Sequence, residues 1–122
     1  MTFKIFHIII SCFILLSCSV STVNNDSVSI LELKQQLKTD ESILIIDVRT
    51  LNEFNGPLGH IPSAKLKPLS EIKNTINEFE KVQNEPIYII CRSGNRSQKA
   101  TQLLKKNGIN AINVNGGMIA WN

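Results

Sequence analysis

The sequence predicts an α/β sandwich built on a mainly parallel sheet. Two unbroken aliphatic or aromatic runs, Ile43–Val48 and Ile87–Ile90, are rich in β-branched residues, as strands covered on both faces require. Helical periodicities alternate with these runs, which is the pattern of strands joined by crossovers. The 122 residues are enough for one domain and too few for two of ordinary size.

The elements follow in chain order. Ile30 to Lys38 places Ile30, Leu33 and Leu37 on one helical face. Ile43–Val48 is the first strand. Lys65-Leu66-Lys67 alternates and reads as a strand or edge with its charges solvated. Ser70 is placed to cap a helix running to about Asn77, with Ile72 and Ile76 on one stripe. Ile87–Ile90 is the second strand. Asn95 to Asn107 gives a helix with Ala100, Leu103 and Leu104 on its apolar face. Lys105 and Lys106 suit its last turn, and Gly108 supplies its stop. Ala111–Val114 is a third, weaker strand. These elements fall within residues 28–122, which read as a single domain.

The residues before it have a different character. Met1 to His7 carries one cation, Lys4, and no acid, and Ile8 to Leu16 is an apolar run too short to span a bilayer. That order reads as an export signal. Leu15-Leu16-Ser17-Cys18 resembles the lipobox of bacterial lipoproteins, which implies a signal peptide over 1–17, cleavage before Cys18 and a lipid on its thiol. Ordinary cleavage after Ser17-Cys18-Ser19 is the alternative. Residues 18–27 are small and polar and read as a tether. The expected location is the periplasmic side of the cell envelope, held to the membrane through Cys18. Ser19, where retained lipoproteins often carry Asp, favours the outer membrane of a two-membrane cell.

Charge and cysteine counts exclude several classes. Thirteen Lys and Arg against ten Asp and Glu give a net charge of +3, too small an excess to argue for nucleic acid. Three cysteines, Cys12, Cys18 and Cys91, make no disulfide framework, and neither a CxxC pair nor a Cys/His cluster suggests zinc. Cys12 leaves with the signal, and Cys18 is acylated or removed. Cys91 is then the one thiol of an exported chain, which marks it as reactive.

The second strand runs directly into Cys91-Arg92-Ser93-Gly94-Asn95-Arg96-Ser97, and a helix follows. A thiol there faces a ring of backbone N–H groups with a helix dipole behind it, and Gly94 lets the loop curl. A free thiol is only about 3% ionised at pH 7. A nest that stabilises the anion turns it into a nucleophile. Two of the three arginines, Arg92 and Arg96, lie in this loop, although the chain has ten lysines. Guanidinium forks suit oxyanions, so both are candidates for steering an anionic reactant.

This loop resembles the active-site loop of rhodanese-type sulfurtransferases. Three further segments share the resemblance: Asp47-Val48-Arg49 with Glu53-Phe54, Gly59-His60-Ile61-Pro62-Ser63-Ala64, and Gly116-Gly117-Met118-Ile119-Ala120-Trp121. Ser63 stands where the family usually has glycine. The resemblance implies a rhodanese-like three-layer sandwich in which Cys91 takes the outer sulfur of a thiosulfate-like donor as a persulfide. A thiol, cyanide or a protein acceptor then removes it, with no metal or organic cofactor. Arg96 follows Cys91 after four residues, whereas cysteine phosphatases place five between Cys and Arg. Asp47 and Arg49 are expected to brace the neighbouring loop. His60 is expected to be satisfied by backbone in its turn, and Trp121 to be a core or pocket-wall residue. The alternative function is a non-catalytic binding or redox-sensing module on the same fold.

Overall fold

The computed structural model describes residues 26–82 and 85–122. The proposed signal peptide, Cys12, Cys18 and the tether up to residue 25 lie outside the described residues. Among the described residues five strands form one sheet: β1 (Ser27–Ser29), β2 (Leu44–Asp47), β3 (Lys65–Leu66), β4 (Ile87–Ile90) and β5 (Ala111–Asn115). Their order is β1-β5-β4-β2-β3, and every pairing is parallel. The fold is thus an α/β sandwich with helices on both sides of the sheet.

Strand alternation decides which layer each residue meets. Ile87, Ile89 and Cys91 point to one face, with Ile46 and Val48 of the neighbouring strand. There they pack against Ile72 and Phe79 and against Ala100 and Leu104 of α4 (Asn95–Lys106). Tyr88 and Ile90 point to the other face, with Ile45 and Val114. They meet Ile30 and Leu33 of α1 (Ile30–Thr39) and Met118 of α5 (Gly117–Trp121). All four residues of β4 are buried, which accounts for its unbroken apolar sequence. Trp121 packs half-buried against the second layer, with the Lys34 Nζ 4.8 Å from its ring centroid.

Two edges of this picture depart from the sequence reading. β1 begins at Ser27, the last residue of the segment read as a tether, because Ser27 pairs with Asn113. No helix starts with a Ser70 cap. A 3-10 segment spans Leu69–Thr75 and passes into α3 (Ile76–Phe79). The reason is upstream: the Leu69 N–H donates to the Val48 carbonyl at 3.0 Å, and Glu71 N–H donates to Pro68 O at 2.8 Å. The helical turn therefore starts at Pro68 and already contains Ser70, so the N-cap is Pro68 and no side chain caps it. Ile72 is still fully buried, so the apolar stripe is used as expected.

The helices close with local chemistry. Ser29 and Glu32 form a reciprocal capping box on α1. Thr50 and Glu53 do the same for the short α2 (Leu51–Phe54). α4 ends where expected, with Gly108 at φ +77° and its N–H on the Lys105 carbonyl.

Candidate active site

The site lies at the carboxyl ends of β2 and β4, adjacent strands in which Asp47 pairs with Ile90. Cys91 continues the alternation of β4, so its side chain enters the layer beneath α4 and the residue is 1% exposed. Gly94 is the N-cap of α4 at φ +110°, and it has no side chain to receive the helix's first free N–H groups. The Cys91 sulfur takes that place: the Gly94 N–H donates to Sγ at 3.1 Å. Ser97, one turn into α4 and fully buried, holds its Oγ 3.3 Å from the sulfur.

Burial pushes the Cys91 thiol up. Hydrogen bonding to the Ser97 hydroxyl and to the backbone N–H groups of Ser97, Gly94 and Ser93 outweighs it, so the thiol sits below its ordinary value. Ser97 has one hydroxyl proton and a second acceptor, the Gly94 carbonyl at 3.0 Å. Against a neutral thiol it donates to that carbonyl and accepts from S–H. Against a thiolate it can turn its proton to sulfur. The nest is thus part backbone and part side chain.

The loop is held in this shape from outside. The N–H groups of Met118 and Ile119, at the start of α5, donate to the carbonyls of Cys91 and Arg92 at 2.8 and 3.0 Å. Those carbonyls are thereby engaged by α5, while the N–H groups of Ser93, Gly94 and Ser97 bond the sulfur. The approach requires Gly117, which sits at φ +56°; a Cβ there would lie 2.5 Å from both carbonyl oxygens. This role of the Gly116-Gly117 segment depends on a contact with a distant loop and has no local sequence signal.

Asp47 and Arg49 form a buried ion pair, 2.8 Å between Nη2 and Oδ2, with Nε donating to both carboxylate oxygens. Arg49 also donates to the carbonyls of Glu53 at 3.2 Å and Gly59 at 2.7 Å. Both residues therefore brace the β2 loop. His60 is satisfied by backbone: Nδ1 bonds the Phe54 carbonyl at 2.9 Å, and its ring stacks on Phe54 with centroids 3.7 Å apart.

The two loop arginines part ways. Arg92 is exposed and lines a cavity of about 350 Å³ together with Arg49, Glu53, Pro57 and Leu58. Arg96 is committed elsewhere: both its Nη atoms bind the Glu53 carboxylate, at 2.7 and 2.6 Å. Arg96, expected as a second donor-steering cation, thus has its fork on a carboxylate of the chain itself. The Arg96 guanidinium, followed by burial that opposes it, sets Glu53 at about 2, far below the usual carboxylate value of 4.5. Nothing in the sequence marks Arg96 as the partner of Glu53. The Thr50-x-x-Glu53 spacing could have signalled its cap, and nothing local signals a residue 43 positions away. Ser93 and Asn95 are exposed on the rim. No group of three or more potential metal ligands occurs among the described residues.

Known proteins similar to this chain share its fold and family. YrkF of Bacillus subtilis is 41% identical over 95 residues, which cover 77% of this chain and 49% of YrkF. The chain thus spans about half the length of that relative. A protein of Allochromatium vinosum named as a sulfurtransferase is 35% identical over 103 residues, covering 84% of this chain and 88% of its own. The crystal structure of a rhodanese-like domain protein from Staphylococcus aureus superposes with a TM-score of 0.71 at 45% identity, covering 79% of this chain and 90% of that one. Residues 29–122 match the family described as Rhodanese-like domain, and the chain belongs to that family.

Proposed function

We propose that the protein is a sulfurtransferase that carries a sulfane sulfur on Cys91. The observation that carries this reading is a buried thiol lowered by N–H and hydroxyl groups at the start of α4. A relative named for this activity, similar over most of both chains, supports the reaction class. The donor is thiosulfate or a like anion. The thiolate attacks its outer sulfur, a Cys91 S–S bond forms, the donor S–S bond breaks, and sulfite leaves with the bonding pair. The terminal sulfur of the persulfide carries the negative charge and meets the same N–H groups. Cyanide then takes that sulfur as thiocyanate, or a thiol takes it as a new persulfide, and the Cys91 thiolate returns. Two half-reactions through one covalent intermediate require ping-pong kinetics. Attack by the thiolate that this nest favours needs no general base.

Intact-mass measurement after exposure to thiosulfate tests this. The expected result is a gain of one sulfur on Cys91, removed by cyanide. No gain at any pH between 6 and 9 leaves the binding or redox-sensing module as the reading.

Export and lipid anchoring at Cys18 are part of the same proposal, resting on the lipobox-like residues alone. Labelled fatty acid should enter the wild type and not Cys18→Ala. Label in neither leaves ordinary secretion.

A further inference from the structure

Resting on the sulfurtransferase reading, we propose that Glu53 is a positioning residue that withdraws Arg96 from donor recognition and so leaves Arg92 alone to select for negative charge. The argument is a balance of charges around one mouth. Arg49, Glu53 and Arg92 line the same cavity beside the sulfur loop. Arg49 is neutralised by Asp47 at 2.8 Å and buried with it. Arg96 is neutralised by Glu53 at 2.6 Å, with both partners about one-third exposed. Among the described residues at this mouth, Arg92 is the cation without an acidic partner.

The Glu53 carboxylate is suited to holding Arg96. Its Oε2 also accepts from the Thr50 N–H at 3.1 Å and from the Thr50 hydroxyl at 3.0 Å, so its position is fixed by the cap of α2 as well as by the arginine. The backbone of the same residue is tied to Arg49. A bidentate fork on a carboxylate held this firmly keeps its plane and does not turn toward a passing anion. Arg96 nevertheless lies close enough to sense the Cys91 charge, which raises its affinity for its proton after the larger effect of Glu53. Freed from Glu53, it would therefore add to the field at the sulfur. Glu53 thus holds the mouth at one net positive charge where the sequence alone suggests two.

Alkylation of Cys91 in the full chain reads this without requiring sulfur transfer. The thiolate displaces iodide from iodoacetate, an anion, or from iodoacetamide, which is neutral, and the Cys91 peptide is followed by mass spectrometry. The ratio of the two rates reports local charge, while thiol ionisation cancels. At low ionic strength, Arg92→Gln should lower the ratio about threefold, the effect of one unit charge roughly 6 Å away in water. Glu53→Gln should raise it by about the same factor, and Arg96→Gln should lower it by leaving Glu53 unpaired. The paired change Glu53→Gln with Arg96→Gln should leave the ratio within about 1.5-fold of wild type, because a neutral pair is removed and glutamine still serves the cap. The proposal is overturned if the paired variant loses as much as Arg92→Gln, or if Glu53→Gln leaves the ratio unchanged. Arg96→Gln, which keeps the Glu53 cap, decides the matter should Glu53→Gln fail to fold: a ratio equal to wild type overturns the proposal. Loss of persulfide formation with this pattern intact would instead overturn the sulfurtransferase reading.

Discussion

β2 and β4 lie side by side and end level with each other, yet their loops turn groups of opposite polarity inward. After β2, the chain turns carbonyl oxygens of Glu53 and Gly59 and the Asp47 carboxylate onto the Arg49 guanidinium. After β4, it turns N–H groups and a hydroxyl onto the Cys91 sulfur. Arg49 donates from all three of its guanidinium nitrogens, and both members of its pair are buried. Cys91 holds one N–H at 3.1 Å and a hydroxyl at 3.3 Å that has another acceptor to hand. The difference teaches that a buried charge with every partner in place is a brace, while a buried sulfur with partners that can turn suits the reactive role proposed for it.

That contrast can be broken most severely at the sulfur itself. Cys91→Ser should lower thiocyanate formation from thiosulfate and cyanide by about a thousandfold or more, with the fold intact by circular dichroism. Retained activity removes the nucleophile from the account. Next in size is the brace. Arg49→Ala leaves the Asp47 carboxylate buried and alone, and should cost about 3–5 kcal/mol in urea unfolding. A loss under about 1 kcal/mol would show that the pair is not needed to hold the β2 loop.

Gly117→Ala tests whether the nest depends on α5. Its new Cβ would meet the carbonyls of Cys91 and Arg92, so the loop must shift. A cost of about 1–3 kcal/mol is expected, together with slower alkylation of Cys91 at fixed pH. Unchanged alkylation would separate the loop from its support. Ser97→Ala removes the side-chain part of the nest and leaves the N–H groups. The pH profile of alkylation should move to higher pH, with the rate at pH 7 down about three- to tenfold.

The smallest effect concerns the Glu53–Arg96 pair. Glu53 is held at about 2 in the fold against an ordinary 4.5, so its contribution is complete above pH 4.5 and is lost as the pH falls toward 2. Both side chains are about one-third exposed, and solvent screening limits the pair to about 1 kcal/mol. Acid unfolding of wild type and Glu53→Gln should differ above pH 4.5 and converge near pH 2. Parallel curves throughout would show that the pair contributes no stability.

Much of this was legible before any tertiary contact was known. The strand runs Ile43–Val48 and Ile87–Ile90 were readable because burial on both faces demands apolar residues without alternation. α4 was readable from its period, its dipole-matched lysines and Gly108. The Cys91 loop was readable because a thiol at a strand end, a glycine and a helix start are consecutive. The 3-10 start at Leu69 was not, since it depends on the Val48 carbonyl, 21 residues upstream. β1 was missed because three residues, only one of them buried, leave too little pattern to read.

The order of residues by itself determined the type of the main elements and singled out Cys91 as the proposed nucleophile. Periodicity, caps and turn residues act over a few positions, and all of these signals are local. Only the tertiary structure decided that Arg96 spends its fork on Glu53, and that Gly117 lets α5 reach the carbonyls of Cys91 and Arg92. Both contacts exist because the sheet sets β4 between β2 and β5, and strand order is a property of the packed core that no short window of sequence contains.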